Sequence, residues 1–274
     1  MPAISTNTAA NSAVRYLNMN SAQETSALSK LSSGSRITSA SDDAAGLAIS
    51  TRISSDITTL QQAATNSSQA VAILQTADGG ASNISDILAR MKSLASESAS
   101  GTTTDSSRAY INSEFTQLSS EIDSISSGTR YSSQSLLDGT SVFASGVSVL
   151  VGTQSTDTIT ITLSNLKASS LGVSSLDVSS LSGATSALTA LDTAINTVSA
   201  ARASIGAQES RFNFSANSIS TQTQNLQSAN SAIVDVDIAS EQATLSSAEV
   251  KTQAAVSAEA AANQMPQYLL KLLG

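Results

Sequence analysis

Apolar residues recur along most of this chain in alternating steps of four and three, the spacing that places them on one face of a helix. One such run covers residues 10–31, and a longer one covers residues 184–233 without a proline. A helix of about 50 residues is about 75 Å long, well beyond the three or four turns usual in globular proteins. The pattern therefore predicts long helices packed side by side.

Each end of the chain carries a seam, by which we mean the row of positions that this spacing puts on one helix face. The first seam contains Ala10, Val14, Leu17, Ser21, Glu24, Leu28 and Leu31, and the last contains Val234, Ile238, Glu241, Leu245, Ala248, Thr252, Ala255, Glu259, Ala262, Pro266, Leu269 and Leu273. The polar members weaken a simple two-stranded coiled coil. We expect the two helices to pair with each other and neighbouring chains to cover their other faces. The terminal or inter-subunit seam residues singled out are Val14, Leu17, Leu28, Leu31, Ile238, Leu245, Leu269 and Leu273.

Further helices are predicted between the two terminal seams. A second helix is expected to begin near Asp42, to be interrupted by the Asp-Gly-Gly sequence at residues 78–80, and to resume through residues 84–94. A third helix is expected over residues 111–128. The long run at 184–233 carries Arg202 and Glu209 at positions where the spacing places apolar residues. Most of the chain is therefore predicted to be helical.

The middle of the chain changes to a period of two, which is typical of strands. Residues 147–151 and 159–163 alternate in this way around a short Gly-containing loop, which predicts a β-hairpin at about 147–163. The Ser- and Gly-rich residues 165–184 are expected to form an extended surface segment. The predicted fold class is mainly α, a long antiparallel helical bundle or coiled coil formed by the N- and C-terminal segments, with a small β-hairpin region in the middle.

Ser41, Asp42 and Asp43 lie directly before an apolar run, and two adjacent acids raise the question of a catalytic pair. Ser or Asp at this point is an ordinary helix N-cap, and a second carboxylate complements the positive end of the helix dipole. A catalytic carboxylate needs a partner group, and no His, Cys or Gly-rich phosphate loop is near. We interpret the three residues as a helix cap.

The composition argues against several classes of protein. Histidine and cysteine are absent, so we expect no enzyme and no catalytic, cofactor-binding or metal site of the kinds built on those residues. A net charge of −8 argues against nucleic acid as a partner. No stretch approaches the roughly 20 apolar residues that span a membrane, and we expect no cleaved signal peptide.

Several motifs resemble conserved segments of bacterial flagellins. LSSGSRITSASDDAAGLAIS (31–50) is similar to the family's N-terminal signature, GAQESRFNFSANSIS (206–220) to its G-A-x-x-N-R segment, and ANQMPQYLLKLLG (262–274) to its terminal pattern. The likeness covers about residues 1–138 and 183–274 and keeps the family's order of motifs. Since the family carries variable outer domains in the middle, where this chain has about 45 residues, the resemblance implies a minimal flagellin.

The resemblance implies four segments. Residues 1–40 would form the N-terminal inner-core helix and linker, and residues 41–183 a helical core domain that contains the hairpin. Residues 184–233 would form the long C-terminal helix of that domain, and residues 234–274 the C-terminal inner-core helix.

The resemblance also implies a function and partners. The chain is expected to polymerise with copies of itself into the extracellular filament of the bacterial flagellum, which drives swimming. Other expected partners are the flagellar export apparatus and its chaperone, and the filament cap and junction proteins. The alternative function is a hook–filament junction protein of the same architecture. The protease insertion of some flagellins needs an H-E-x-x-H motif, which a chain without histidine lacks.

Arg90, Leu94 and Glu114 align with family positions that contact a vertebrate innate immune receptor, and they are candidate receptor contacts. From the residues alone, Arg90 and Glu114 form part of a solvated helix face and Leu94 is a packed residue. Ser93 and Glu97 depart from the commonest receptor-binding version of the motif. Receptor binding is therefore a hypothesis that needs a direct assay.

Overall fold

The computed structural model describes residues 7–273, with the side chains of residues 7–265. Its helices are α1 Thr8–Ser33, α2 Ala44–Ser98, α3 Asp105–Gly128, α4 Val142–Ser145, α5 Leu181–Val234 and α6 Ile238–Leu273. Its strands are β1 Arg130–Tyr131, β2 Gln134–Ser135, β3 Val147–Leu150 and β4 Thr158–Ile161. The predicted fold class, mainly α with a small hairpin region in the middle, is confirmed. Among the described residues, no helix has a stretch long and apolar enough to cross a membrane.

The chain divides into two compact units. The terminal unit contains the residues up to Ser55 together with those from Asn225 onward. The central unit contains Asp56–Gln224. Helices α1 and α6 thus belong to the terminal unit, and α3, α4 and the four strands belong to the central unit.

In the terminal unit, α1 and α6 pair in antiparallel orientation. Near the beginning of α1, the Nδ2 atom of Asn7 donates a hydrogen bond to the carbonyl oxygen of Ala262 at 2.8 Å. Beyond the end of α1, Ser35 forms an antiparallel β-bridge with Asp235. Gly34 ends α1 with a φ of 70°, a left-handed conformation that glycine adopts without strain. The chain therefore leaves α1 in the direction that lets it pair with the residues before α6.

The core of the central unit is built from α2, α3, α5 and the segments between α3 and α5. Its largest fully buried side chains are Leu74, Ile84, Leu88, Met91, Phe115, Ile122, Leu136, Leu137, Ile161, Leu166 and Phe212. These residues recur at helical spacing on α2, α3 and α5, so each long helix turns one apolar stripe inward. Packing of that stripe, rather than helix propensity, provides most of the stability of such helices.

Helix α2 passes without a break through residues 78–80, so the predicted interruption there is wrong. Gly80 is buried, and a Cβ atom added to it would lie 2.4 Å from Oγ1 of Thr129 and 2.8 Å from Cδ1 of Leu137. The glycine therefore allows close approach of another segment to the helix. Its helix-breaking tendency of about 1 kcal/mol is small beside the packing of the apolar residues on either side.

Strands β3 and β4 form the hairpin that the period-two pattern predicts. They pair antiparallel with Val147 opposite Ile161 and Leu150 opposite Thr158. The residues after this hairpin are irregular, but the expectation of a surface segment at 165–184 is wrong. Its buried residues include Leu166, Ala168, Leu171, Val173 and Val178, which complete the core.

Polar side chains on α3 hold this irregular segment in place. Oδ1 of Asn112 accepts a hydrogen bond from the N–H of Val178 at 3.0 Å, and Oδ1 of Asp123 accepts one from the N–H of Ala168 at 2.9 Å. These bonds satisfy backbone groups that no strand partner reaches among the described residues. The segment can therefore bury its apolar side chains without regular secondary structure.

Candidate assembly surface

On α6, the residues withdrawn from solvent follow the spacing expected of the last seam. They include Glu241, Leu245, Ala248, Thr252, Ala255, Glu259 and Ala262, of which Leu245 and the three alanines are buried. Ile238 begins the helix and remains 65% exposed. The side chains of Leu269 and Leu273 lie outside the described residues. Of Ile238 and Leu245, the two residues singled out on α6 whose side chains are described, the structure thus places Leu245 in the seam.

On α1, the residues withdrawn from solvent agree with the predicted seam at every second position. At the positions between, the withdrawn residue lies one residue earlier in the chain than predicted. Its members include Ala10, Ala13, Leu17, Asn20, Glu24, Ala27 and Leu31. The predicted seam residues Val14 and Leu28 are instead 38% and 58% exposed. The physical reason is size, since a buried alanine such as Ala27 lets two helices approach more closely than a leucine does. Val14 and Leu28 lie beside the seam and are accessible to another chain.

The seam between α1 and α6 is thin and partly polar. Oγ1 of Thr252 donates a hydrogen bond to Oε2 of Glu24 at 3.2 Å across it. Burial of one methyl group contributes only about 0.8 kcal/mol. A seam whose buried residues are mostly alanines therefore offsets little of the conformational entropy that two helices of 26 and 36 residues lose on ordering.

The same two helices expose several large apolar side chains, which we call the apolar exterior. Its members are Val14, Tyr16, Met19 and Leu28 on α1, and Ile238, Val250, Val256 and Met265 on α6. Single exposed apolar residues are ordinary, but several on one pair of helices are typical of a surface that binds another protein. The terminal unit is therefore the candidate assembly surface.

The structure gives the three predicted cap residues different roles. Asp43 is at the N-cap position of α2, where its Oδ1 accepts a hydrogen bond from the N–H of Gly46 at 2.8 Å. Ser41 and Asp42 differ from the predicted cap because they lie two and one residues too early, respectively, in the loop before the helix. Oγ of Ser41 hydrogen-bonds Oγ of Ser39 at 2.7 Å.

Asp42 organises that loop instead of the helix. Its Oδ2 accepts hydrogen bonds from the N–H of Ser39 at 2.9 Å and from the N–H and Oγ1 of Thr38 at 3.0 Å each. These bonds lower the pKa of Asp42, and the one from the Ser39 N–H has the largest effect. The carboxylate thus acts as a fixed acceptor in a tight loop, which is a structural role.

The three candidate receptor contacts lie in the central unit. The guanidinium of Arg90 donates to Oε1 of Glu114 through Nε at 2.9 Å and Nη2 at 2.7 Å. Both side chains are about half exposed, at 54% and 46%. Leu94 is only 2% exposed and belongs to the core, so it cannot contact another protein while that core is intact. The structure leaves Arg90 and Glu114 available as surface contacts.

A groove along α5 brings together three charged residues that the sequence did not assign to a site. Arg202 holds Asp78 in a bidentate pair, with Nε 2.8 Å from Oδ1 and Nη2 3.2 Å from Oδ2. The hydrogen bond that Arg202 donates to Asp78 raises the pKa of Arg202. Glu209 lines the same groove, where burial, and then the charge of Asp78, raise the pKa of its carboxyl. The sequence signal was the presence of Arg202 and Glu209 at apolar positions of the long seam.

Family models for bacterial flagellins match most of this chain. The model of the bacterial flagellin N-terminal helical region matches residues 4–142. The model of the bacterial flagellin C-terminal helical region matches residues 188–273. These two regions contain α1, α2, α3 and α6 and most of α5, whereas nearly all of α4 and the first residues of α5 lie between them.

Whole-chain relatives agree with the family models. The flagellin of Halalkalibacterium halodurans is 36% identical over 272 residues, which cover 98% of this chain and 99% of that protein. The flagellin of Bacillus subtilis is 33% identical over 301 residues, covering 98% of this chain and 99% of that protein. The flagellar filament 30.7 kDa core protein of Treponema maltophilum is 33% identical over 271 residues, covering 94% of this chain and 95% of that protein.

A solved structure supports the same assignment. The crystal structure of Bacillus cereus flagellin is 30% identical to this chain, with a TM-score of 0.52, and the match covers 61% of this chain and 94% of that one. Sequence families, whole-length relatives and fold therefore agree. This chain belongs to the bacterial flagellin family.

Proposed function

We propose that this chain is the structural subunit of a flagellar filament and that the terminal unit is its main polymerising surface. The observation that carries the proposal is the contrast between an alanine-rich seam and an apolar exterior on α1 and α6. A pair of helices with so little buried area gains stability when other copies cover its outer faces. Relatives named flagellin and flagellar filament core protein along nearly the whole chain support the same role.

The proposed assembly follows open helical symmetry. Each chain would present one part of its surface to a different part of the next chain, and such heterologous contacts continue without end unless the rotation closes a ring. The exposed residues Val14 and Leu28 are suited to this role because they lie beside the internal seam. We expect α1 and α6 to become more protected from hydrogen exchange when a chain joins the filament.

Membership of the flagellin family supports our proposal for the remaining features of this role. The chain would leave the cell through the flagellar export apparatus with its chaperone, without a cleaved signal peptide, and would function in the extracellular filament that drives swimming. Filament cap and junction proteins would be its other partners. The role is structural, and it requires no reaction, cofactor or metal. None of the relatives named above favours the alternative, a hook–filament junction protein, and the abundance of the chain in sheared filaments would distinguish the two roles.

Recognition by a vertebrate innate immune receptor is a separate proposal about the central unit. The exposed pair of Arg90 and Glu114 supports it, because both charges are accessible on the surface. A receptor-reporter assay with purified monomer tests this directly. We expect a response that Arg90→Ala weakens, and no response at saturating dose would end the proposal.

Seeded elongation tests the filament role. Purified chain is added to filament fragments, and growth is followed by electron microscopy and light scattering. We expect the full chain to elongate the seeds and a variant lacking residues 245–274 to fail, because that variant loses most of the α6 seam. The unfolding transition of the central unit, followed in both proteins, shows whether the variant is otherwise folded. Elongation by the truncated chain would refute the role of the terminal unit.

A further inference from the structure

The groove along α5 contains two carboxylates, those of Asp78 and Glu209, and one cation, Arg202. Its lining residues are Asp78, Ser199, Arg202, Ile205, Gly206 and Glu209, all in the central unit. Arg202 donates to both carboxylate oxygens of Asp78 through Nε and Nη2. These two donors of the Arg202 guanidinium are therefore already occupied. Glu209 is then left as the excess negative charge in the groove.

Glu209 also lacks the hydrogen bonds that a partly buried carboxylate needs. Its Oε1 atom is buried and receives no hydrogen bond from any described residue. A carboxylate removed from water in this way is costly unless a donor or a cation reaches it. Glu209 as a whole is only half-buried, and it lines the groove.

The shape of the groove suits a long side chain. Its volume is about 380 Å³, and an adjoining groove of about 270 Å³ shares Gly206 and Glu209 with it. The second groove is also lined by Phe214, which is 74% exposed. A lysine or arginine could lay its aliphatic stem against the phenylalanine ring while its charge meets the Glu209 carboxylate.

We infer that this groove receives a lysine or arginine side chain from a second copy of the chain in the filament. The inference rests on the proposed filament role, which brings the surfaces of identical chains together. The chain itself carries suitable cations, since Arg15, Arg52 and Lys251 are exposed and have no carboxylate partner among the described residues. In a polymer with heterologous contacts, every groove but those at one end can be filled in the same way.

Glu209→Gln tests the inference because it removes the charge and keeps the shape. The matched control is Glu121→Gln, which makes the same change at an exposed position of the central unit. We expect both variants to fold as monomers. We expect the critical concentration for seeded elongation to rise about five- to tenfold for Glu209→Gln and to stay unchanged for Glu121→Gln. We also expect elongation by Glu209→Gln to depend less on salt than elongation by the unaltered chain.

The outcomes separate this inference from the filament role. If the unaltered chain fails to elongate seeds, the filament role fails. If the unaltered chain elongates and Glu209→Gln elongates equally well, the filament role stands and the groove contact is refuted. A density map of the filament gives the direct check. We expect a basic side chain of a neighbouring copy within about 4 Å of the Glu209 carboxylate, and an empty or solvent-filled groove would overturn the inference.

Discussion

Gly80 of α2 lies so close to Thr129 that a Cβ atom on the glycine would stand 2.4 Å from the threonine Oγ1. Real side chains do not approach this closely, and Leu137 Cδ1 would lie only 2.8 Å away on the same side. We therefore expect Gly80→Ala to lower the free energy of unfolding of the central unit by about 1–3 kcal/mol. Urea unfolding followed by circular dichroism measures the change.

The neighbouring glycine provides a matched control with the opposite sign. Gly79 is exposed, and no described atom lies within 4 Å of the position its Cβ would take. Since alanine is the better helix former, Gly79→Ala should raise the free energy of unfolding by about 0.5–1 kcal/mol. Equal effects of the two substitutions would show that close packing at Gly80 is not what retains the glycine.

The turn between β1 and β2 offers a stabilising substitution. Ser132 and Ser133 both have positive φ, at 49° and 69°, a region that costs an L-residue about 1–2 kcal/mol and glycine almost nothing. We expect Ser133→Gly to stabilise the central unit by about 0.5–1 kcal/mol after the greater freedom of glycine in the unfolded chain is counted. Thermal unfolding tests this. The same change at Ser120, in the interior of α3, should instead destabilise by about 0.5 kcal/mol.

On α6, most of the residues withdrawn from solvent between Glu241 and Ala262 follow the predicted spacing, although Ile238 is exposed. The first seam was harder to predict, since the four-three pattern fits both the predicted positions, with Val14 and Leu28, and the observed ones, with Ala13 and Ala27. Hydrophobicity favours the larger residues, but close packing of two helices favours the alanines. The exposed pair is then left for contacts outside the chain, which a single-chain pattern does not distinguish.

Tertiary contacts explain the other differences between the structure and the predictions from the sequence. Residues 78–80 read as a break from composition alone, but burial of Gly80 keeps α2 continuous. The composition of residues 165–184, rich in Ser, predicted a surface segment, whereas the hydrogen bonds that its backbone donates to α3 side chains allow its apolar residues to be buried. The sequence shows Arg202 and Glu209 as charged residues at apolar positions of the long helix. It could not predict that they share a groove with Asp78, because Asp78 is more than a hundred residues away from Arg202 in the chain.

Leu28 separates a role in assembly from a role in monomer stability. Because it is 58% exposed, Leu28→Gln should change the free energy of unfolding of the monomer by no more than about 0.5 kcal/mol. If a neighbouring chain covers it in the filament, the same variant should raise the critical concentration for elongation several-fold. Ser29→Gln, at the next exposed position of α1, is the control. Equal elongation by the two variants would contradict the assignment of Leu28 to the assembly surface.

Glu209 should make the stability of the monomer depend on pH in a predictable direction. Burial and the nearby charge of Asp78 raise the pKa of its carboxyl above the ordinary value of 4.5, so the folded chain binds a proton more readily than the unfolded chain. Stability contributed by this group therefore rises as the pH falls through the folded pKa, and it is lost at neutral pH, where the folded state must hold a desolvated charge.

Glu209→Gln removes that pH dependence. At pH 7 the variant monomer should be more stable than the unaltered one, and the difference should shrink as the pH is lowered toward 4.5 and below, where the glutamate is protonated in both states. Urea unfolding of the central unit across this pH range measures the difference, with Glu121→Gln as the reference. A variant that is more stable as a monomer yet weaker in elongation would indicate that the Glu209 charge serves a contact between chains. In the monomer alone that charge is only a cost. A constant difference at all pH values would contradict the titration of Glu209 and leave its steric fit as the source of any effect.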